Sequence, residues 1–291
     1  MKYESPEIPE GINVSKTHPL VEFAWLLAAV ALIGAVLVLT ASFAGEWLAG
    51  RVSVEQELSW TSGPDAGWVG SETHPPEAQR ARVEQELQVL ADRLLPHVPY
   101  PEGMPLRIHY SDADTVNAFA TLGGHIVFFR GLLERLPHEN ALAMVMAHEM
   151  AHVAQRHPIR SIGRGAGMSL ALALMGMDSG NPVNTALGQA GLMTAMSFSR
   201  EQEREADRIA LDAVNALYGH VGGAGDLFRV FQELRAEQGD VWRPEFASTH
   251  PSDEGRIQRL ADLSGELGFP TRNTRTPLPA LIRTLSANAT D

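Results

Sequence analysis

The sequence predicts an α+β fold that is mainly helical, with a small β-sheet or hairpin and one N-terminal transmembrane helix. Three observations support this prediction. A charge-free stretch runs from Phe23 to Gly45, later segments repeat apolar residues at helical spacing, and two short alternating segments flank Gly123-Gly124. The chain has 291 residues, 44% of them hydrophobic, which is enough for one or two domains with a buried core.

The composition excludes some classes of site and partner. The formal net charge is −12, and no basic stripe of the kind that binds nucleic acid is present. We therefore expect no nucleic-acid partner. The chain has no cysteine, which excludes disulfides and thiolate zinc sites.

The charge-free stretch Phe23–Gly45 is long enough, at about 1.5 Å per residue, to cross about 30 Å of hydrocarbon. Trp25 and Trp47 lie at its ends, where interfacial aromatic residues are expected. A cleaved signal peptide is the alternative, because Ser42-Phe43-Ala44 has small residues at acceptable cleavage positions. The run exceeds the usual length of about 7–15 residues, so we favour an uncleaved anchor with the lipid bilayer as a partner.

The positive charges near this stretch indicate its orientation. Lys2, Lys16 and the amino terminus precede the span, whereas only Arg51 follows it closely. Because cytoplasmic flanks carry the excess of positive charge, we expect a single-pass N-terminal anchor with the main domain on the extracytoplasmic, periplasmic side.

The chain divides into five predicted regions. Residues 1–22 form a tail, 23–45 the transmembrane helix, 46–76 a linker, 77–270 the main folded domain and 271–291 a C-terminal tail. Partial alternation over Arg51–Trp60 predicts a possible strand within the linker. Apolar residues at helical spacing, closed by Pro96, predict that Glu77–Leu95 is the first helix of the main domain.

Alternating residues predict the small sheet. Leu106–Tyr110 reads as a strand, and Val116–Ala120 with His125–Phe129 reads as a hairpin that turns at Gly123-Gly124. After it we expect a short helix over Gly131–Leu136 and a longer apolar helix over His138–Arg156.

The long apolar helix contains the sequence His148-Glu149-x-x-His152. Residues four apart share a helix face, so both imidazoles are able to bind one metal ion. Zn²⁺ is expected, one per chain, because it accepts neutral His nitrogens and keeps an open position for water in catalytic sites. Glu149 lies beside that position, where it can act as general base on the water.

Two nearby features are not expected to bind ligands. His157 does not match the third histidine of a metzincin, since Gln155 and Pro158 stand where Gly and His are required, so we interpret it as a helix-end residue. The Gly163, Gly165 and Gly167 series lacks a preceding strand and a Gly-Lys-Ser/Thr sequence, so we expect no nucleotide.

The stretches 161–177 and 182–198 are poor in charge, with Arg164 and Asp178 as the only charged residues between Arg160 and Arg200. Both are interrupted by glycine and are weaker than the first span. We expect them to be buried or membrane-contacting, either as a helical hairpin packed on the domain or as a dip into the bilayer, rather than as true spans.

A zinc ion held by two histidines needs a third protein ligand, and helical phase selects it. From His152 to Arg200 the only carboxylate is Asp178. The following acid-rich segment forms a predicted helix to about Leu217. Its apolar stripe contains Glu203, Ala206, Asp207, Ala210, Val214 and Leu217, whereas Glu201, Glu205, Arg208 and Asp212 form a charged face.

We therefore predict Glu203 as the third ligand, because an inward carboxylate without a cation would be expensive to bury. Asp207, one turn later, is placed to accept a hydrogen bond from a ligand histidine. The alternative, an acid cluster favoured by the helix dipole, explains Glu201 but not this pair.

The segment Asn117–Arg130 is a candidate substrate-binding edge, beginning at Asn117. Zincin sites commonly have a sheet edge beside the metal, where a peptide adds as a further strand. An ordinary core hairpin is the alternative for this stretch.

His148-Glu149-x-x-His152 followed by Glu203-x-x-x-Asp207 resembles the zinc metallopeptidases of the HtpX, BepA and CaaX prenyl endopeptidase kind. The similarity extends over roughly Glu77–Leu260. It implies a zincin-like metallopeptidase domain in which His148, His152 and Glu203 bind zinc and Glu149 is the base. It also implies that His250 approaches the metal, where it either holds the site shut or assists the reaction.

These observations predict a membrane-anchored zinc metalloendopeptidase that acts on protein or peptide substrates, in membrane or envelope protein quality control. A membrane-tethered chaperone or scaffold with a closed, structural zinc site is the alternative, with His250 as fourth ligand. A soluble secreted protease would result if Ser42-Phe43-Ala44 were cleaved.

Overall fold

The computed structural model describes residues 18–61, 77–176, 198–239, 245–250 and 255–285. Within these ranges the strands are β1 (Arg107–Ser111), β2 (Ala118–Ala120) and β3 (His125–Phe129). The helices are α1 (Pro19–Ala49), α2 (Val54–Thr61), α3 (Glu77–Leu94), α4 (Arg130–Leu133), α5 (Glu139–Ala154), α6 (His157–Leu174), α7 (Arg200–Tyr218), α8 (Asp226–Gln238), α9 (Phe246–Thr249), α10 (Arg256–Glu266) and α11 (Ala280–Arg283). The predicted α+β, mainly helical fold is confirmed.

Helix α1 contains the predicted apolar span and has no buried residue. Among the described residues it is the one helix whose length and composition suit a membrane crossing. His18 caps its first turn by accepting a hydrogen bond from the Leu20 N–H.

The strand predicted over Arg51–Trp60 is wrong, because this segment forms α2. Ser53 and Gln56 form reciprocal side-chain to backbone hydrogen bonds of 3.2 Å, which is a capping box that starts a helix. Val54 and Leu58, which fit strand alternation, also fit the four-residue spacing of a helix, and both are partly buried against the core.

Helix α2 is fixed to the main domain by Glu57, whose side chain is buried. Its Oε1 accepts a hydrogen bond of 2.8 Å from the Gly123 N–H, and its Oε2 lies 2.6 Å from Nη2 of Arg156. Arg156 has a left-handed backbone (φ 58°) between α5 and α6. One carboxylate thus connects the anchor side of the chain to the hairpin turn and to the end of α5.

We expect Glu57→Ala to lower the free energy of unfolding by about 1–2 kcal/mol, because it removes charge-assisted hydrogen bonds made by a buried carboxylate. Urea unfolding of the detergent-solubilised chain measures this change. Glu55→Ala, on the exposed side of the same helix, is the matched control and should leave stability within about 0.5 kcal/mol of wild type. Equal effects of the two variants would contradict this role of Glu57.

The three-stranded sheet has the order β1-β3-β2. β1 pairs with β3 in parallel, and β2 pairs with β3 antiparallel, with Phe119 opposite Val127. The predicted strand and hairpin are confirmed. Gly124 adopts φ 74°, and a β-carbon there would collide with the Pro105 carbonyl, so only glycine fits this turn.

Helix α5, predicted over His138–Arg156, lies at the centre of the domain, and every residue from Glu139 to Val153 is buried. His138 caps it by accepting a hydrogen bond of 3.1 Å from the Ala141 N–H. The sheet and α3 pack on one part of its surface and α7 on another. The two histidines and Glu149 are thereby held inside the protein core.

Helix α7 begins at a capping box between Ser199 and Gln202. Its buried residues include Glu203, Ala206, Asp207, Ala210 and Val214, so the predicted inward stripe is confirmed. The core also extends past residue 270, because Ile282 and Leu285 are buried within it.

Helix α6 lies antiparallel to α1, with Gly163 beside Gly45 and Gly167 beside Ala41. The described part of the charge-poor stretch, residues 161–176, therefore packs along the apolar helix. The other charge-poor stretch, 182–198, lies outside the described residues except for Phe198.

Candidate metal centre and active site

Helix α5 directs His148 and His152 toward the same point, with their Nε2 atoms 3.0 Å apart. Helix α7 supplies Glu203, whose Oε2 lies 3.5 Å from His148 Nε2 and whose Oε1 lies 3.4 Å from His152 Nε2. All three side chains are buried. The structure thus brings together the three predicted ligands.

His250 follows α9 and reaches the same point from the opposite side. Its Nδ1 lies 3.3 Å from His148 Nε2 and 2.9 Å from Glu203 Oε1. One ligating atom from each of His148, His152, Glu203 and His250 lies within 4.8 Å of the other three. His250 therefore lies where the resemblance implies, as a fourth member of the cluster.

The cluster fits Zn²⁺ in its chemistry and its dimensions. Tetrahedral zinc with ligand distances near 2.0–2.1 Å requires ligand atoms about 3.3 Å apart. The His148 and His152 nitrogens are 3.0 Å apart, and Glu203 lies 3.4 and 3.5 Å from them. Burial lowers the pKa of His152 well below its usual range, which favours the neutral imidazole that a metal requires. Burial also lowers the pKa of His148, but the carboxylates of Glu203 and Asp207 outweigh it and raise that pKa.

Glu149 adjoins the cluster without being part of the four-residue set. Neither of its carboxylate oxygens has a hydrogen-bond partner among the described residues, and Oε1 lies 3.3 Å from His250 Nε2. Complete burial raises the pKa of this carboxyl to about 7, although the charge of His250 opposes the rise. A carboxyl group with a pKa near neutrality is suited to accept and return a proton.

Asp207 and Arg256 form hydrogen bonds and ion pairs with side chains of the metal cluster. Asp207 Oδ1 lies 3.1 Å from Nδ1 of His148, as its predicted position on the stripe suggests. Arg256 donates to both oxygens of Asp207, at 3.0 and 2.6 Å, and to Glu203 Oε2 at 2.8 Å. Burial raises the pKa of Glu203, but nearby His250 and His148 outweigh it and hold that pKa well below its usual range.

Sequence reasoning missed three groups that contact the cluster. Arg256 occupies the buried side of the amphipathic helix α10, and that placement is the signal that identifies it. His157, predicted only as a helix-end residue, is the first residue of α6, and its Nδ1 lies 2.9 Å from Nδ1 of His152. Phe198 stacks on the His152 ring at a centroid distance of 3.8 Å.

Strand β2 is the edge of the sheet nearest to Glu149. The Asn117 carbonyl and the Thr121 N–H bond to β3, so the backbone groups of Ala118 and Ala120 face the other way. The Ala120 backbone N–H donates toward the Glu149 carboxylate, which lowers the pKa of that carboxyl. Asn117 itself is fully buried outside the metal cluster, with Oδ1 3.4 Å from the Thr249 hydroxyl.

Comparison with known proteins is consistent with this geometry. The chain is 32% identical over 157 residues to the mitochondrial metalloendopeptidase OMA1 of Schizosaccharomyces pombe, which covers 53% of this chain and 45% of that protein. It is 30% identical over 187 residues to the beta-barrel assembly-enhancing protease of Escherichia coli, which covers 60% of this chain and 37% of that protein. The chain thus spans less than half the length of these relatives.

A family model provides the assignment. Residues 77–264 match Peptidase family M48, and this range contains the His148, His152, Glu203 and His250 cluster together with Glu149. M48 metallopeptidases are zinc-dependent, in agreement with the fit of the cluster to zinc. The chain therefore belongs to peptidase family M48.

Proposed function

We propose that the protein is a membrane-anchored zinc metalloendopeptidase that hydrolyses peptide bonds. The observation that carries this proposal is the convergence of His148, His152 and Glu203 on one buried point beside the buried carboxylate of Glu149. A metal cluster alone is compatible with a structural role. The adjacent carboxylate, with a pKa of about 7, is the group that hydrolysis requires and that a structural site does not use.

The proposed roles follow from these positions. His148, His152 and Glu203 would hold the zinc ion, and bound zinc would supply the Lewis acidity that activates water and polarises a carbonyl. Glu149 takes the proton from the attacking water and returns it to the leaving amine. Asp207 fixes the orientation of His148 through Nδ1, while Arg256 fixes Asp207 and Glu203.

The peptide substrate is proposed to add along β2. The backbone groups of Ala118 and the carbonyl of Ala120 face away from β3, so they are oriented to exchange hydrogen bonds with an extended chain. Asn117 starts this edge and contacts Thr249, the residue before His250. A peptide bound there would lie beside Glu149.

Helix α1 supports the membrane anchor, and the predicted orientation places the M48 domain on the periplasmic side. The relatives are named as a mitochondrial metalloendopeptidase and as a protease that enhances β-barrel assembly. On this basis we assign the chain a role in membrane or envelope protein quality control.

One observation favours the second candidate, a tethered chaperone or scaffold with structural zinc. His250 completes a four-residue set, and a closed four-ligand site holds no catalytic water. In the enzyme, the same contact would be a closed state that opens when His250 leaves. The two candidates differ in the effect of removing this imidazole.

We expect His250→Ala to increase casein cleavage several-fold while the protein retains about one zinc ion per chain, because three protein ligands remain and the fourth position opens. Zinc content and casein hydrolysis are measured on the same purified samples. His97→Ala, an exposed histidine, is the control and should match wild type. Zinc-loaded protein without casein cleavage in both wild type and His250→Ala would favour the scaffold.

A further inference from the structure

The pairing of α1 and α6 is the feature of the molecule that the proposed peptidase mechanism does not use. Their backbones come into direct contact where glycines meet, since a β-carbon on Gly163 or Gly167 would collide with the α1 backbone. The contacts run in opposite directions along the two helices, from Arg160 beside Gly50 to Met175 beside Gly34. Helix α6 therefore follows α1 back along the apolar span.

The charged residues that border the apolar parts of α1 and α6 lie at the same height along the two helices. Glu46, the first charged residue after the Phe23–Gly45 span, lies 3.2 Å from Arg160 and 3.6 Å from Arg164. Beyond Arg164 the rest of α6 and the two residues after it, 165–176, contain no charged residue. At this level Trp47 is exposed and Arg51 lies over its ring, as expected for a residue pair at a membrane interface.

The contacts also define how far α6 extends along the span. Gly163 lies beside Gly45, where the charge-free span ends, and Met175 lies beside Gly34. At about 1.5 Å per residue, this separation corresponds to roughly 16–18 Å along the helix axes. Because the hydrocarbon core is about 30 Å thick, the carboxyl end of α6 lies near the middle of the bilayer that α1 crosses.

Three large apolar side chains of α6 are exposed, although the helix packs along α1. Met168, Leu170 and Leu174 are 43%, 52% and 72% exposed, and exposure is greatest at the residue nearest the middle of the span. Helix α1 is exposed along its length in the same way. Both helices thus expose large apolar side chains on the same side of Glu46, where lipid acyl chains would cover them.

We propose that α6 is a second intramembrane segment, a half-span that enters the bilayer beside α1 and ends near its midplane, with Met168, Leu170 and Leu174 in contact with lipid. The sequence alone left a soluble hairpin and a membrane dip open for this stretch. The tight pairing with α1, the shared charge boundary and the exposed leucines select the membrane dip.

This placement specifies where substrates meet the active site. His157, the first residue of α6, contacts His152, and it lies only six residues before Gly163, which is about 9 Å along the helix. The metal cluster is therefore held close to the membrane surface. Resting on the proposed peptidase function, the inference is that the substrates are polypeptide segments at the bilayer surface, next to a membrane-embedded or membrane-inserting part of the same protein.

The absence of cysteine in the chain allows a direct test with single-cysteine variants of the full-length protein. Leu174→Cys reports on α6, Leu39→Cys on α1, and Val89→Cys on an exposed position of α3 in the main domain. Each variant is reconstituted into phosphatidylcholine and phosphatidylglycerol vesicles and treated with a membrane-impermeant maleimide before and after detergent. Bimane attached at position 174 is then tested for quenching by lipids that carry a nitroxide at mid-chain.

We expect Val89→Cys to react in intact vesicles, and Leu174→Cys and Leu39→Cys to react only after detergent, with strong quenching of the bimane at position 174. Modification of Leu174→Cys at the rate of Val89→Cys, with Leu39→Cys still protected, would overturn the half-span and leave the anchor intact. Protection of Leu174→Cys without nitroxide quenching would also overturn it. Modification of Leu39→Cys as well would refute the proposed anchor together with the half-span, whereas casein cleavage reports separately on the peptidase.

Discussion

Glu149→Gln is expected to reduce the rate of casein cleavage by about 10²–10⁴-fold, the range that general acid–base groups contribute, while zinc content stays at about one ion per chain. Gln has nearly the same shape as Glu but cannot accept the proton of the attacking water. Because Glu149 is not among the four residues of the metal cluster, its replacement leaves every candidate zinc ligand in place.

Glu203→Gln is the matched variant, because it makes the same chemical change at a carboxylate that lies 3.4 and 3.5 Å from the two histidine nitrogens. It should retain less than one zinc ion per chain and lose cleavage, because it removes the anionic ligand and leaves only the three histidines of the cluster. Metal content is measured by atomic absorption on protein purified without added chelator. Retained proteolysis in Glu149→Gln, or retained stoichiometric zinc in Glu203→Gln, would refute the assigned roles.

Arg256→Met is expected to lower the free energy of unfolding by about 3–5 kcal/mol, the cost of leaving one side of a buried ion pair without its partner. Arg256 is buried between Asp207 and Glu203, and its guanidinium lies 4.6 Å from the centre of the Phe228 ring. Met conserves much of the apolar volume but leaves two buried carboxylates without their cation. The free energy is measured by urea unfolding of zinc-saturated protein in detergent.

Arg272→Met, at an exposed position, is the control for the loss of one positive charge, and its effect should stay within about 0.5 kcal/mol. Loss of the Arg256 contacts should also weaken zinc binding, because Glu203 and His148 would no longer be held in place. An Arg256→Met protein as stable as Arg272→Met would show that this network does not support the site.

Local patterns were sufficient for the central helix and for the inward carboxylate of α7. Residues four apart share one face in any α-helix, so the common direction of His148 and His152 can be predicted without knowledge of the fold. The inward stripe of α7 likewise follows from helical phase, which separates Glu203 and Asp207 from the charged face that contains Glu201 and Glu205. The hairpin was predicted because Gly123-Gly124 supplies the backbone freedom that its turn requires.

The predicted strand over Arg51–Trp60 was wrong because the apolar pattern of this segment fits two kinds of secondary structure. In Arg51–Trp60 the apolar residues fit the period of a strand and that of a helix equally, and the capping box of Ser53 and Gln56 favours the helix α2.

The interpretation of His157 rested on its distance in sequence from His152, which does not match the ligand spacing of a metzincin. Its contact with His152 depends on the left-handed turn at Arg156, which folds α6 back against the end of α5.

By itself the sequence determined that this chain has an apolar helix suited to a membrane, a helix that presents two histidines and a glutamate, and a second helix with an inward carboxylate. Only the tertiary structure decided that His250 and Arg256 meet these groups and that α6 runs beside α1. The reason is physical: helical periodicity is set by neighbours within a few residues, whereas these contacts join segments far apart in the chain, whose meeting depends on the packing of the whole core.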